Sequence, residues 1–448
     1  MQKKIITYLF LSFLAFFTAC CNNSSNSSGS EDENFLPPKS TVPTVVIILN
    51  WNDYSETNPT LWHNKVFNKS YNSINRWFAA NTESSIELLP VQESDGVADD
   101  GVITVDMGEN NPGGYDDTVV RDVELRAAIT SKTVDDAIDF SKYDLDKNGD
   151  ISYDELQIIF IVSGGEQAYG DSAKKSVWAH TWNYEDSEAP QVDGVNLMRD
   201  TGNVKTSGIY AMFGARHDVD RKGEHKAVVG IMAHEMGHAL FDLYDLYDNG
   251  GGSGLGYYDI MSGGTWARKA SDTYDGETPT QYTVFSKIDA KLQMRLTTLN
   301  SSGTVTIKCS ANEGIKLSSV KSNEYFLLEC RDTQRLDSDR SFNYIDSRFS
   351  DNRLFGALYH VDEDKEGNTE SGEQTEYHHY KVALVQKNDN VKMSAVEGID
   401  ARFSYVYIDG DIIEAEKTKL YDNASTGYSI QVLSSNYATR EMTFKITK

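Results

Sequence analysis

The sequence predicts an α+β protein in two parts, and three observations carry that prediction. Strand-like and helix-like runs alternate through about residue 300. From Ser302 onward, short alternating runs separated by turn residues take over, the pattern of a β-rich, sandwich-like region. Beyond its first forty residues the chain is also too long for one compact core. The expected division is therefore 41–300 and 301–448, preceded by an export signal over 1–20 and a tether over 21–40.

The N-terminal residues are set aside from the fold. Lys3 and Lys4 precede an apolar run, Ile5 to Phe17, that is too short to cross a bilayer with ease. Small residues then lead into Cys20. This arrangement resembles a bacterial lipoprotein signal, with Cys20 as the lipidated residue. Phe17 stands where leucine is common, so an ordinary secretory signal is the alternative. Residues 22–34 hold no apolar group and read as flexible. Export is expected, with membrane attachment through an N-terminal lipid. One acyl chain binds only marginally, so stable anchoring would need more than one.

Val42 to Leu49 is a β-branched run that reads as a buried strand. Leu61 to Ala80 places Leu61, Val66, Phe67, Tyr71, Ile74, Trp77 and Phe78 at helical spacing and predicts one helix. A strand follows at Ile86 to Pro90, a helix at Val119 to Ile129, a second buried strand at Leu156 to Val162 and a helix over 226–241. In the second part, strands are expected at Thr304–Lys308, Glu324–Glu329, Leu354–His360, Tyr380–Gln386, Phe403–Ile408, Tyr428–Leu433 and Glu441–Ile446.

The formal net charge of −26 argues against a nucleic-acid partner, because nothing offsets phosphate repulsion. Two of the four cysteines, Cys20 and Cys21, lie at the export signal. Cys309 and Cys330 remain, either paired in an oxidising compartment or buried as thiols.

The chemistry concentrates at His234-Glu235-Met236-Gly237-His238. Histidines four apart on a helix project both imidazoles from one face toward one ion. Glu235 beside them can take a proton from water. This is the zinc-peptidase signature, with His234 and His238 as ligands and Glu235 as general base. Val228, Val229, Ile231, Met232, Met236 and Leu240 supply an apolar face for embedding the helix. One protein ligand remains to be found. In the metzincin pattern H-E-x-x-H-x-x-G-x-x-H a glycine bends the chain before a third histidine, but here Phe241 and Tyr244 occupy those two positions. Asp242, Asp245 and Asp248 follow at intervals of three, and any of them can reach a metal; Tyr244 is a less favoured ligand. Tyr258-Asp259-Ile260-Met261-Ser262-Gly263-Gly264 is similar to the turn that lies beneath the zinc in metzincins.

Residues 144–155 fit a twelve-residue EF-hand calcium loop. Asp144, Asp146, Asn148 and Ser152 supply side-chain oxygens, Asp150 a backbone carbonyl, Glu155 a bidentate carboxylate, and Gly149 the turn. The strand-like run that follows, in place of an exit helix, predicts a structural ion with no switching role.

Together these segments resemble the immune inhibitor A family of bacterial metallopeptidases. The resemblance rests on H-E-M-G-H, then Asp245-Leu246-Tyr247-Asp248, then Asp259-Ile260-Met261-Ser262-Gly263-Gly264-Thr265-Trp266. It extends to Asp139–Asp144, Val177–Trp182, Glu324–Glu329 and Gly356–Asp362. Members place Gly-Leu-Pro before D-L-Y-D, where this chain has Asp242-Leu243-Tyr244. The resemblance implies a metzincin-like fold, a secreted endopeptidase acting on proteins or glycoproteins, structural calcium, and Asp245 as the third zinc ligand. A monomer is expected. The alternative is a catalytically weak or inactive peptidase-like module that binds proteins or glycans.

Other groups carry less. His180, between Trp178 and Trp182, reads as a hydrogen-bonded core histidine or as part of a cleft, and His360 as structural, with a role at or behind a metal as the alternative. His378-His379 has an exposed-looking context. Tyr244, Tyr257 and Tyr258 are candidate donors to a tetrahedral oxyanion.

Overall fold

A computed structural model describes residues 40–70, 72–112, 118–169, 176–217, 223–248, 254–334, 353–368, 378–387 and 406–448. The expected signal and tether, Cys20, Tyr71 and residues 403–405 lie outside these. The chain forms a mixed α+β structure that clusters into two compact units. One comprises 84–242 with the described residues of 40–79; the other comprises 80–83 and 243–448.

The first unit is built on an eight-stranded, mostly parallel sheet. Strand β1 (Thr41–Asn50) lies at its centre. β2 (Glu87–Pro90) and β3 (Val102–Asp106) pair along one edge of β1, and β4 (Gln157–Glu166) along the other, all parallel. Every residue of β4 is buried, as a parallel strand covered on both faces requires. Val45, Ile47 and Leu49 of β1 and Ile158, Phe160 and Val162 of β4 join a core with Leu125, Ala128 and Ile129 of helix α3 (Thr118–Ile129) and Val134 of α4 (Lys132–Ala137). The intervening Val46, Ile48, Ile159 and Ile161 are equally buried and face the other way. Beyond β4, strand β5 (Ser176–Val177) pairs with its end, and β9 (Tyr210–His217) runs parallel along it. Two antiparallel pieces border β9: β6 (His180–Trp182) and β10 (His225–Lys226). A small hairpin, β7 (Gln191–Val192) with β8 (Val195–Asn196), stands apart.

Of the helices, α3 (Thr118–Ile129) and α4 (Lys132–Ala137) supply one core face. The single helix expected over 61–80 is two: α1 (Pro59–Phe67) and α2 (Ile74–Asn81). Helical spacing alone did not reveal the break. Between them Asn68 is extended and Asn72 adopts a positive φ of 58°. Ser73 Oγ donates to the carbonyls of Asn68 and Ser70, and the buried Asn75 amide bonds the Phe67 and Leu88 carbonyls. Side chains thus satisfy the main-chain groups that a continuous helix would have paired.

In the second unit, short helix α6 (Val284–Asp289) precedes two sheets. The first has the order β11 (Arg295–Leu299), β13 (Glu313–Ser318), β14 (Glu324–Asp332), β15 (Leu354–Asp362), β16 (Val382–Leu384). The second runs β12 (Gly303–Lys308), β19 (Glu441–Thr447), β18 (Ser429–Asn436), β17 (Ile412–Ile413). Phe326, Leu328 and Leu358 of the one share a hydrophobic cluster with Ile430, Met442 and Phe444 of the other. Cys309 and Cys330 are joined by a disulfide in this cluster, the first of the two states the sequence left open. At the edge of the core, the fully buried Arg331 guanidinium pairs with Glu329 and donates to the carbonyls of Tyr258 and Tyr282.

Candidate metal centre

Helix α5 (Val229–Phe241) carries the motif. It begins three residues later than its apolar pattern predicts, because His225-Lys226 is drawn into the sheet as β10. Its first amide, that of Val229, donates to Asn72 Oδ1 at 2.9 Å, which satisfies one orphan donor of the helix start. Ile231, Met232, Met236 and Leu240 are buried, while His234, Glu235 and His238 share the half-buried face. The apolar face and the histidines four apart therefore become a two-sided helix: one side packs, the other presents nitrogen and oxygen donors.

The two imidazoles stand almost perpendicular, at 82°, with ring centroids 4.9 Å apart. Their Nε2 atoms are 3.3 Å apart. Two nitrogens bound to one tetrahedral zinc at ~2.0–2.1 Å are separated by roughly 3.3 Å, so the pair fits that ion. An oxygen of Asp245 completes the group, all three ligand atoms lying within 4.8 Å of one another. Of the three carboxylates left open by the sequence, this is the one that groups with the histidines. Asp242 is exposed, and Asp248 accepts the Tyr380 hydroxyl at 2.5 Å. Tyr244 is 42% exposed, with Lys381 over its ring.

The bend after His238 is made without glycine or proline. Asp242 ends the helix in the left-handed conformation, φ 51° and ψ 36°, and its amide caps the Gly237 and His238 carbonyls. Aspartate tolerates this region better than most residues. In the metzincin pattern the glycine stands three residues before the third ligand. Asp242 stands three residues before Asp245, so the bend and the candidate ligand both lie one position later than in that pattern. Asp245 is buried, and its Oδ2 accepts the Tyr247 hydroxyl at 2.8 Å.

Glu235 has a neighbour that sequence reasoning missed. Thr181 Oγ1, on β6, lies 3.0 Å from the Glu235 carbonyl oxygen and 3.3 Å from its Oε2. The only sequence hint was its place in the W-x-H segment. His180 is hydrogen-bonded as expected but half-buried: Nδ1 meets the Trp178 carbonyl at 2.9 Å and Nε2 the Tyr210 hydroxyl at 3.1 Å. Burial pushes its imidazole below the ordinary range. Glu166, at the end of β4, was also missed. It is fully buried and receives the amides of Ala168, Ala179 and Gly214. Burial outweighs those three donors and pushes its carboxyl up to about 7, with the charge of Glu235 adding to the rise.

Residues 92–294 match the model of the immune inhibitor A peptidase M6 catalytic domain. The resemblance to the immune inhibitor A family is confirmed. Over 197 residues the chain is 29% identical to the pre-pro-metalloprotease PrtV of Vibrio cholerae, a match covering 40% of this chain and 19% of that protein. Over 284 residues it is 27% identical to immune inhibitor A of Bacillus thuringiensis, covering 54% of this chain and 38% of that protein. The matched part is thus well under half the length of either relative. The similarity is to a metallopeptidase, and the M6 region contains both α5 and the acidic loop at 144–155.

In that loop, oxygens of Asp144, Asp146 and Glu155 lie within 4.8 Å of one another. Asp144 accepts the amides of Asn148 and Gly149, and buried Glu155 those of Leu145 and Ser152. Gly149 has a φ of +87°, the turn the spacing requires. The Asp150 carboxylate is taken by Arg199 and Asn196, which leaves its carbonyl as the group it offers the loop. Asn148 Oδ1 accepts the Asp150 amide, and Ser152 Oγ donates to Glu155. No helix follows; the chain enters β4 at Gln157.

The remaining candidates are structural. His360 lies stacked between Phe326 and Tyr421 with Nε2 3.0 Å from Glu324. His379, expected to be exposed, is buried: it stacks on the other side of Tyr421 and meets Asp362 at 2.8 Å. Tyr258 is buried against Phe355.

Proposed function

We propose that this protein is a zinc-dependent endopeptidase that hydrolyses peptide bonds of extracellular proteins or glycoproteins. The grouping of His234, His238 and Asp245 around one point, beside Glu235 and inside a segment resembling a peptidase catalytic domain, carries the reading. Zinc held by these three residues supplies a Lewis acid and acidifies water toward neutral pH. Glu235 takes the proton of the attacking water and returns it to the leaving amine. Thr181 Oγ1 shares its one proton between the Glu235 carbonyl and Oε2 and so helps to orient the base. The alternative, an inactive binding module, drew its support from the altered bend after His238. Asp242 supplies that bend, so no observation favours the alternative.

The rest of the reading follows from the same resemblance. The catalytic part is metzincin-like and the two C-terminal sheets sandwich-like, with the domain border near residue 300. Calcium occupies the 144–155 loop through Asp144, Asp146, Asn148, the Asp150 carbonyl, Ser152 and Glu155, and pins it to β4. Export, lipid attachment at Cys20 and a monomeric state complete the proposal. No helix among the described residues is long and apolar enough to cross a membrane.

The test is Glu235→Gln in the full chain. Zinc content stays stoichiometric while hydrolysis of casein falls by at least ~100-fold, the scale of a lost general base. Retained hydrolysis, or purified protein that binds no zinc, would overturn the reading.

A further inference from the structure

The segment carrying Asp245 is held in place by a residue 122 positions beyond its neighbour Leu246. Asn368 is fully buried, and its amide is spent on main chain. Its Nδ2 donates to the Val382 carbonyl at 2.7 Å and to the Leu246 carbonyl at 3.3 Å. Its Oδ1 accepts the Val382 amide at 3.0 Å. The residue thereby ties Leu246, which directly follows Asp245, to strand β16.

Leu246 is gripped from two further sides. Its amide donates to the Met261 carbonyl at 2.7 Å, and its carbonyl also accepts the Leu255 amide at 2.9 Å. Met261 is anchored in turn, its amide donating to buried Asp259, whose other oxygen takes the Thr283 amide and Ser286 hydroxyl. The packing leaves no slack: a Cβ on Gly254 would lie 2.0 Å from the Leu246 carbonyl oxygen. The chain immediately beyond Asp245 is thus gripped at several points, and this grip helps to set the position of its carboxylate.

We propose that Asn368 is a positioning residue for the metal centre, acting through the Leu246 peptide to hold Asp245 where its carboxylate joins the two imidazoles. This rests on the reading of Asp245 as third ligand. Groups that orient a ligand typically change metal affinity by ~10–100-fold when removed. Asn368 does so one peptide removed from the ligand, so the lower end applies.

The experiment is a double-mutant cycle on full-length protein, with zinc affinity measured by competition against a chromogenic chelator. Thermal unfolding of the metal-free proteins reports the fold separately. Asn368→Ala is expected to weaken zinc binding ~10-fold. In an Asp245→Asn background, which already lacks the carboxylate, the same change is expected to cost no more than ~3-fold, because residues acting through one another are not additive. Equal losses in both backgrounds would overturn the proposal, since a general structural defect multiplies. So would an Asn368→Ala protein with unchanged affinity. Wild-type affinity in Asp245→Asn alone identifies a different failure, that of the ligand reading itself. If Asn368→Ala does not fold, Asn368→Ser is put through the same cycle, and additivity there counts equally against the proposal.

Discussion

Replacing Asp242 tests whether the backbone bend, and not the aspartate side chain, builds the metal centre. The residue is exposed and left-handed, so a substitution there loses little packing and alters the cost of its φ and ψ. A left-handed L-residue costs ~1–2 kcal/mol, with aspartate at the lower end. A carboxylate at a helix C-terminus opposes the helix dipole by ~0.3–1 kcal/mol. Glycine removes both penalties but adds ~0.4–1 kcal/mol of freedom to the unfolded chain. The balance for Asp242→Gly is a gain of ~0.3–1.6 kcal/mol, centred on about 1 kcal/mol, for which Tm rises by ~2–4 °C in a unit of this size. Asp242→Val goes the other way, because a β-branched side chain is strongly disfavoured in this region. It is expected to lose ~1–2 kcal/mol. It should also weaken zinc binding, since Asp245 lies three residues beyond the bend. Scanning calorimetry of metal-free protein gives the stabilities, and chelator competition the affinities. A destabilised glycine variant, or a valine variant that melts and binds zinc as the glycine variant does, would refute the argument that conformation at residue 242 places the ligand.

Three further outcomes follow from the same structure. Glu166 has a carboxyl pushed up to about 7 against an ordinary 4.5, so the folded state keeps its proton longer than the unfolded chain. Its contribution is complete below about pH 4.5 and falls as pH rises to about 7, by up to about 3 kcal/mol. Urea midpoints of wild type should drop across that window and those of Glu166→Gln should drop less; parallel declines would refute the shift. Calcium at a hundred times its Kd should stabilise the protein by ~2.7 kcal/mol and raise its Tm, and Glu155→Gln should abolish most of that rise. An equal calcium response in both proteins would remove Glu155 from the site. Thr181→Val deletes the hydroxyl at Glu235 while keeping its shape; it should lower kcat on casein ~10-fold with zinc content unchanged, less than the ~10²–10⁴-fold of losing the base itself. Unaltered kcat would show that Glu235 needs no such restraint.

The chemistry of this protein was written locally and so was legible in its sequence. His234 and His238 converge because any helix brings residues four apart to one face. The 144–155 loop closes as its spacing requires because Gly149 and nearby carboxylates satisfy one another within a dozen residues. The same holds for the buried strands β1 and β4, whose apolar runs are long enough to need cover on both faces. Where the sequence misled, the deciding interaction was distant or invisible to pattern. The run over 61–80 keeps helical spacing yet breaks, because Asn75 reaches Leu88 on another element. His379 sits in a polar stretch yet is buried by stacking on Tyr421. Spacing left three aspartates open; the resemblance pointed to Asp245, and it is this one whose carboxylate the tertiary structure groups with the two imidazoles. Spacing fixes which side chains share a face only while the helix lasts, and the helix ends at Asp242. Beyond it the path belongs to Met261, Leu255 and Asn368, whose grip on Leu246 no local pattern could encode.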